Sequence, residues 1–91
     1  MRTFSRTTQF KKDVKLAGRR GRDLGKLKAV LDLLIAGYEL PAQCQDHPLR
    51  GNFTGSRDCH IEPDWLLIYT LTGNGGHVRL ERTGTHSDLF R

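Results

Sequence analysis

No stretch of this 91-residue chain is apolar for long. The longest such run, Trp65-Leu66-Leu67-Ile68-Tyr69, falls far short of the roughly 20 residues a membrane helix needs. The opening residues, Met1-Arg2-Thr3-Phe4-Ser5-Arg6, lack the apolar core of a secretory signal, so a cytoplasmic protein is the default expectation. Cysteine is scarce: Cys44 and Cys59 are too few for the disulfide framework that usually staples a small secreted domain, and both are read as free thiols. Repeats, low-complexity tracts and linkers are missing, which makes residues 1–91 one expected domain. A domain this small buries a modest core. Its functional site therefore belongs on an open face or a shallow groove.

Two further absences divide the chain. The second half has no lysine, and the first half has no histidine. Residues 1–45 hold ten Lys/Arg against four Asp/Glu, net +6, whereas residues 46–91 hold five Arg against six Asp/Glu, net −1. The basic part is suited to attract a polyanion by steering and counterion release. The second part holds the groups that titrate near neutral pH. A binding face joined to a reactive face is one reading of that division; a helical surface solvated by Lys and Arg is the plainer one.

Periodicity outlines the elements. Thr3-Phe4-Ser5 suits a short first strand. Thr7 or Thr8 can cap a helix in which Phe10, Val14 and Ala17 recur at helical spacing, ending at Gly18-Arg19-Arg20-Gly21. A second helix starts near Asp23, buries Leu24, Leu27, Leu31 and Leu34 with Val30 and Ile35, and stops at Gly37. This leucine stripe is core packing rather than a zipper. Residues 38–52 read as an irregular connection. Residues 57–61 suit a strand, Glu62-Pro63-Asp64 a tight turn, and Trp65–Leu71 a central strand apolar on both faces. Gly73-Asn74-Gly75-Gly76 is a hairpin turn. His77–Thr83 returns antiparallel with Val78 and Leu80 inward. Thr85-His86-Ser87-Asp88 resembles a capping box and starts a last short helix. The expected fold is α+β: an N-terminal strand and αα hairpin packed on an antiparallel sheet.

His47, His60, Asp64 and His86 lie on three different connections around that sheet. The turn at Pro63 brings His60 and Asp64 to one end, and the meander returns His86 to the same end. Histidines suit RNA cleavage, in which a base takes the ribose 2′-proton and an acid protonates the departing 5′-oxygen. Arginines and backbone N–H groups suit the phosphorane charge, and the first turn of the last helix offers a phosphate cradle. Taken singly, each of these residues has a plainer role: a surface histidine, an aspartate in a turn, Phe90 in the core. His77, beside a glycine turn, keeps the plain reading. A metal site is the rival chemistry. Cys44-x-x-His47 has zinc-like spacing, but neighbouring Cys59 and His60 point to opposite faces of a strand and cannot easily grip one ion. Nothing in the spacing of Asp58, Glu62 and Asp64 demands Mg²⁺. No metal or other cofactor is expected.

The run Asp46-His47-Pro48-Leu49, then Arg57-Asp58-Cys59-His60-Ile61-Glu62-Pro63-Asp64-Trp65, then Arg82-Thr83-Gly84-Thr85-His86, closing on Leu89-Phe90, resembles the YafQ toxins of the RelE/ParE superfamily of bacterial toxin–antitoxin systems. Lys11-Lys12-Asp13-Val14-Lys15 and Lys26-Leu27-Lys28 extend the resemblance over nearly the whole chain. It implies a RelE-like α+β fold and an endoribonuclease that cuts mRNA in the ribosomal A site without a metal. It implies a catalytic surface of His47, His60, Asp64, His86 and Phe90, with His86 as proton donor to the leaving 5′-oxygen. Asp64 or a neighbouring histidine would assist the 2′-hydroxyl, and Phe90 would stack on an mRNA base. Arg82, with Arg50 and Arg57, would hold phosphate charge, and Lys11, Lys12 and Lys15 would face ribosomal RNA. The implied partners are an acidic antitoxin, the ribosome and mRNA. The chain departs from the family pattern in its last residue, Arg91, whose added charge is expected to alter how Phe90 meets RNA. A ParE-like toxin that poisons DNA gyrase without cleaving RNA is the alternative, though that mode needs no acid–base groups.

Overall fold

The computed structural model describes residues 1–90; Arg91, and with it the expectation that its charge affects Phe90, lies outside the described residues. Local signals in the sequence set the boundaries of the helical part. Thr7, in extended conformation, accepts a hydrogen bond from the Phe10 N–H and starts α1 (Thr8–Arg19). Asp23 does the same for α2 (Leu24–Ala36) by accepting from the Gly25 N–H at 2.9 Å. Gly37 ends α2 at φ +86°, and its N–H returns to the carbonyls of Leu33 and Leu34.

Five strands form one sheet: β1 (Thr3–Arg6), β2 (His47–Pro48), β3 (Arg57–Glu62), β4 (Trp65–Thr72) and β5 (His77–Gly84), in the order β1-β5-β4-β3-β2. The meander β3-β4-β5 is antiparallel as expected. At one edge β1 joins β5 in parallel, so the sheet is mixed. At the other edge β2 pairs antiparallel with β3, inside the segment read as irregular. A two-residue strand shows no alternation to detect, and Pro48 suits an edge because it has no N–H to donate. One turn of helix, α3 (His86–Leu89), follows β5.

Each sheet face carries its own apolar cluster. Leu67, Tyr69, Val78, Leu80, Cys59 and Trp65 pack with Phe10, Ala17, Leu27, Val30 and Leu34 of the helices. On the opposite face Leu66 and Ile68 pack with Leu89, Leu49 and Phe53. Hence β4 is buried on both sides, with Leu66, Leu67 and Ile68 fully inaccessible. Each such side chain contributes about 1.5–3 kcal/mol of burial. The α2 stripe is less complete than its spacing suggests: Leu24, at the first position, is 40% exposed. Both cysteines are buried and unbridged.

Polar groups close two gaps. β1 pairs with β5 only as far as Leu80. Beyond that point the Thr83 N–H donates to the buried carboxylate of Asp13 on α1 at 3.2 Å. Inside the sheet, Trp65 Nε1 donates to Thr83 Oγ1 at 3.0 Å, and that hydroxyl donates to the Leu66 carbonyl at 2.7 Å. His77 bonds Thr3 Oγ1 and Ser5 Oγ through its two ring nitrogens, which fixes β1 and agrees with its structural reading.

Candidate active site

The sheet face away from the α1–α2 hairpin carries the titratable residues. Strand alternation puts Asp58 and His60 on that face of β3, because their partners across the ladder are Ile68 and Leu66 of the second cluster. His47 stands directly opposite Asp58 on β2 and shares the same face. The β3–β4 turn presents Asp64, and α3 presents His86 at its first position.

Asp64 and His86 form a close pair. His86 Nδ1 lies 2.6 Å from Asp64 Oδ1, and the His86 backbone N–H donates to the same oxygen at 2.9 Å. An ionised carboxylate can only accept, so Nδ1 carries the proton and Nε2 is the atom left to exchange one with a substrate. The backbone N–H of His86, followed by its ring, holds the Asp64 carboxyl below the usual range. This pairing also takes up an N–H group that the sequence offers as a phosphate cradle. The Asp88 N–H is likewise taken by Thr85 Oγ1, so the first turn of α3 stabilises itself through a complete capping box.

His60 meets His86 edge to face, with ring centroids 5.7 Å apart and planes at 87°. Beneath the histidines lies Asp58, 3% exposed, with Oδ1 4.0 Å from His60 Nε2 and Oδ2 4.0 Å from His47 Nε2. Both separations exceed hydrogen-bond range, and Oδ1 has no hydrogen-bond partner among the described residues. Burial pushes the Asp58 carboxyl above its ordinary value, while His47, His60 and His86 pull it back. His47 gives Nδ1 to the Gln45 carbonyl at 2.6 Å, which requires a proton there and directs Nε2 toward Asp58.

Phe90 closes the site. It is 40% exposed and meets Phe53 edge to face at 5.7 Å. Phe53 itself packs on the second apolar cluster. The structure thus brings together His47, His60, Asp64 and His86, with Phe90 on the same face beyond α3. The predicted phosphate-binding residues are less uniform. Arg82 is held by Asp13, with Nε at 2.7 Å and Nη2 at 3.3 Å. Arg57 is paired with Asp46 at 3.1 Å. Arg50 is exposed and has no ion-pair partner among the described residues. Lys11, Lys12 and Lys15 are exposed on α1.

Two residues of the site have no role in the sequence reading. Asp58 stands there only as one of several scattered carboxylates, yet its i, i+2 spacing from His60 on a strand is a signal that both share a face. Phe53 sits in a 3-10 turn, Gly51–Phe53, with no periodicity to mark it.

Residues 2–91 match the model of a family described as bacterial toxin of type II toxin–antitoxin system, YafQ. The chain is 54% identical over 83 residues to the mRNA interferase toxin YafQ of Escherichia coli strain K12, covering 90% of this chain and 88% of that one. The crystal structure of YafQ from E. coli strain BL21(DE3) matches with a TM-score of 0.93 and 49% identity over 100% of both chains. A chain of the E. coli DinJ–YafQ toxin–antitoxin complex matches with a TM-score of 0.90 and 50% identity, over 99% of this chain and 98% of that one.

Proposed function

The chain belongs to the YafQ family of type II toxin–antitoxin toxins, and on that premise we propose that it is an endoribonuclease that cuts mRNA in the ribosomal A site. The observation that carries this reading is the Asp64–His86 pair set edge to face against His60. Asp64 is committed to His86 through two hydrogen bonds, so it orients that ring rather than taking the 2′-proton itself. In its imidazolium form, with Nδ1–H held by Asp64, His86 offers Nε2–H as the general acid. The base falls to His60, which has the Asp58 carboxylate beneath it at 4.0 Å to face the positive charge that forms on the ring.

The step balances. The base takes the 2′-O–H proton and the 2′-oxygen bonds to phosphorus. The bond from phosphorus to the 5′-oxygen breaks, and His86 protonates that oxygen. The products are a 2′,3′-cyclic phosphate and a 5′-hydroxyl. Arg50, or Arg82 once released from Asp13, would take up phosphorane charge. Phe90, braced by Phe53, offers an exposed ring on which a base can stack.

The cell's own translation machinery puts the site of action in the cytoplasm, and the expected partner is an acidic antitoxin comparable to the DinJ seen with the E. coli relative. The gyrase-poisoning alternative finds no support in relatives named mRNA interferases. Programmed ribosomes carrying an mRNA with a single 2′-deoxy nucleotide at the scissile position test the reading. The ribose form is cut and the deoxy form survives; equal cutting of both refutes transesterification. After expression in cells, mRNA 5′ ends accumulate within codons for the parent chain and not for His86→Ala.

A further inference from the structure

The Asp64–His86 pair sits in an exposed place, with side chains 63% and 54% accessible. Leu89 and the capping box seat α3 on the sheet, but the Asp64 and His86 side chains themselves stand on two short exposed supports, a single turn of helix and the β3–β4 turn. Their relative placement therefore depends on what joins those two supports. The α1–α2 connection approaches both of their supports. Arg20 reaches Asp88 of α3 with both terminal nitrogens, at 2.7 and 3.3 Å, and Asp88 in turn accepts the Thr85 N–H at 2.9 Å. Two residues on, Arg22 reaches the other support. Its Nη1 bonds Glu62 at 3.0 Å, its Nη2 lies 3.5 Å from the Asp64 carbonyl, and its guanidinium lies 5.6 Å from the centre of the Trp65 ring. The connection is itself fixed to α1 by backbone bonds from Arg20, Gly21 and Arg22 to Leu16, Gly18 and Ala17.

Resting on the cleavage reading above, we propose that Arg20 and Arg22 form a two-armed bracket that sets the Asp64–His86 geometry, and that both are positioning residues for cleavage. One arm fixes the turn that carries Asp64 and the other fixes the helix that carries His86. Because both arms spring from one rigid connection, the distance between acid and orienting carboxylate is set by the helical hairpin. Neither arginine touches the His86 ring. Arg20 makes no contact with Asp64 either, which makes it the cleaner of the two to test.

Arg20→Gln, Arg22→Gln, Asp88→Asn and the double variant Arg20→Gln/Asp88→Asn separate this role from others. The amide oxygen introduced by Asp88→Asn can still accept from Thr85, so this substitution removes chiefly the charge that Arg20 holds. Two readouts are taken on the intact protein: the titration of the Asp64 carboxyl by NMR, and single-turnover cleavage on programmed ribosomes. The charged groups around Asp64 are His86 on α3 and Arg22 in the connection. In Arg20→Gln, the Asp64 titration moves up toward the ordinary carboxylate range and maximal cleavage falls roughly 10- to 100-fold at saturating ribosome. Asp88→Asn gives the same loss, and the double variant loses no more than either alone. A wild-type Asp64 titration in folded Arg20→Gln overturns the bracket, as do additive losses in the double variant. A change in half-saturation alone makes the arginines RNA contacts and also overturns it. Arg20→Lys keeps the charge without the fork and recovers part of the rate; no recovery over Arg20→Gln counts against the proposal. Should the parent chain fail to cleave on the ribosome, the functional reading falls while the titration still decides the bracket.

Discussion

Asp58 sets a local conflict between stability and chemistry. Its carboxylate is buried with one oxygen unpartnered, a condition that costs free energy. The same carboxylate faces His47 and His60 at 4.0 Å, and the positive charge they carry when protonated works against the effect of burial on it. Asp58→Asn is therefore expected to raise the melting temperature at pH 7 by about 4 °C, for roughly 1 kcal/mol, while slowing cleavage about tenfold. The pH dependence has a definite sign. A carboxyl whose folded pKa is raised binds protons more tightly when folded, so the parent chain gains stability relative to Asp58→Asn as pH falls through that raised value. Calorimetric melts of both proteins between pH 7 and pH 4 should thus converge on acidification; a gap that widens would show that burial of the charge is not the cost. The sequence announces the histidines as titratable groups by type alone. Asp58 is legible too: with residues 57–61 read as a strand, positions 58 and 60 share a side, but a lone carboxylate there carries no mark of the burial that gives it its effect.

At the scale of elements, caps and turns are the most legible features. Thr7, Asp23, Gly37 and the Thr85–Asp88 box each act within a few residues, and the bonds they make are those their types favour. Less legible is anything that needs a distant partner. Asp13 looks in sequence like one polar residue on a basic helix, yet it is buried and holds Arg82 and the Thr83 N–H, 69 and 70 residues away. Nothing near Asp13 in the sequence predicts that the edge of β5 is left unpaired there. Asp13→Ala should cost about 2 kcal/mol in urea unfolding, since it strands an N–H and a half-buried guanidinium together. A loss within about 0.5 kcal/mol of zero would mean that solvent serves Thr83 equally well. Gly84 is a second case. A Cβ there would lie 3.0 Å from both Cβ and Oδ2 of Asp88, so the requirement is close approach of β5 to α3 rather than an unusual backbone angle. Gly84→Ala should push α3 outward and lower cleavage roughly tenfold or more, leaving far-UV circular dichroism unchanged. Growth arrest as strong as the parent's would mean that α3 tolerates the shift.

Over the whole molecule, the division of charge seen in the sequence becomes a division of surfaces. Lys11, Lys12 and Lys15 are exposed on α1, and α1 lies on the sheet face opposite the histidines. The charges nearest the site are largely paired with carboxylates: Arg20 with Asp88, Arg22 and Lys26 with Glu62, Arg82 with Asp13. Long-range attraction of a polyanion thus falls to the exposed cations without an ion-pair partner among the described residues, chiefly Lys11, Lys12 and Lys15 of α1, with Arg50 on the other side. Replacing Lys11, Lys12 and Lys15 together by Gln should flatten the dependence of log ribosome affinity on log salt by up to about 2 units and leave maximal cleavage unchanged. An unaltered salt slope would remove α1 from the RNA-facing surface.

The parallel pairing of β1 with β5 bears on how the protein is made. Its contacts join residues 3–6 to residues 77–80, and α1 relies on Arg82 and Thr83 for the partner of its buried Asp13. The first strand and helix can meet α2 early, but they have no sheet to settle on until residues 77–83 have been synthesised. The final turn that brings His86 and Phe90 comes later still. The edge strand and α1 thus lack their sheet partners until residues 77–83 have been made, which ties completion of the helical face to the last strand of the sheet.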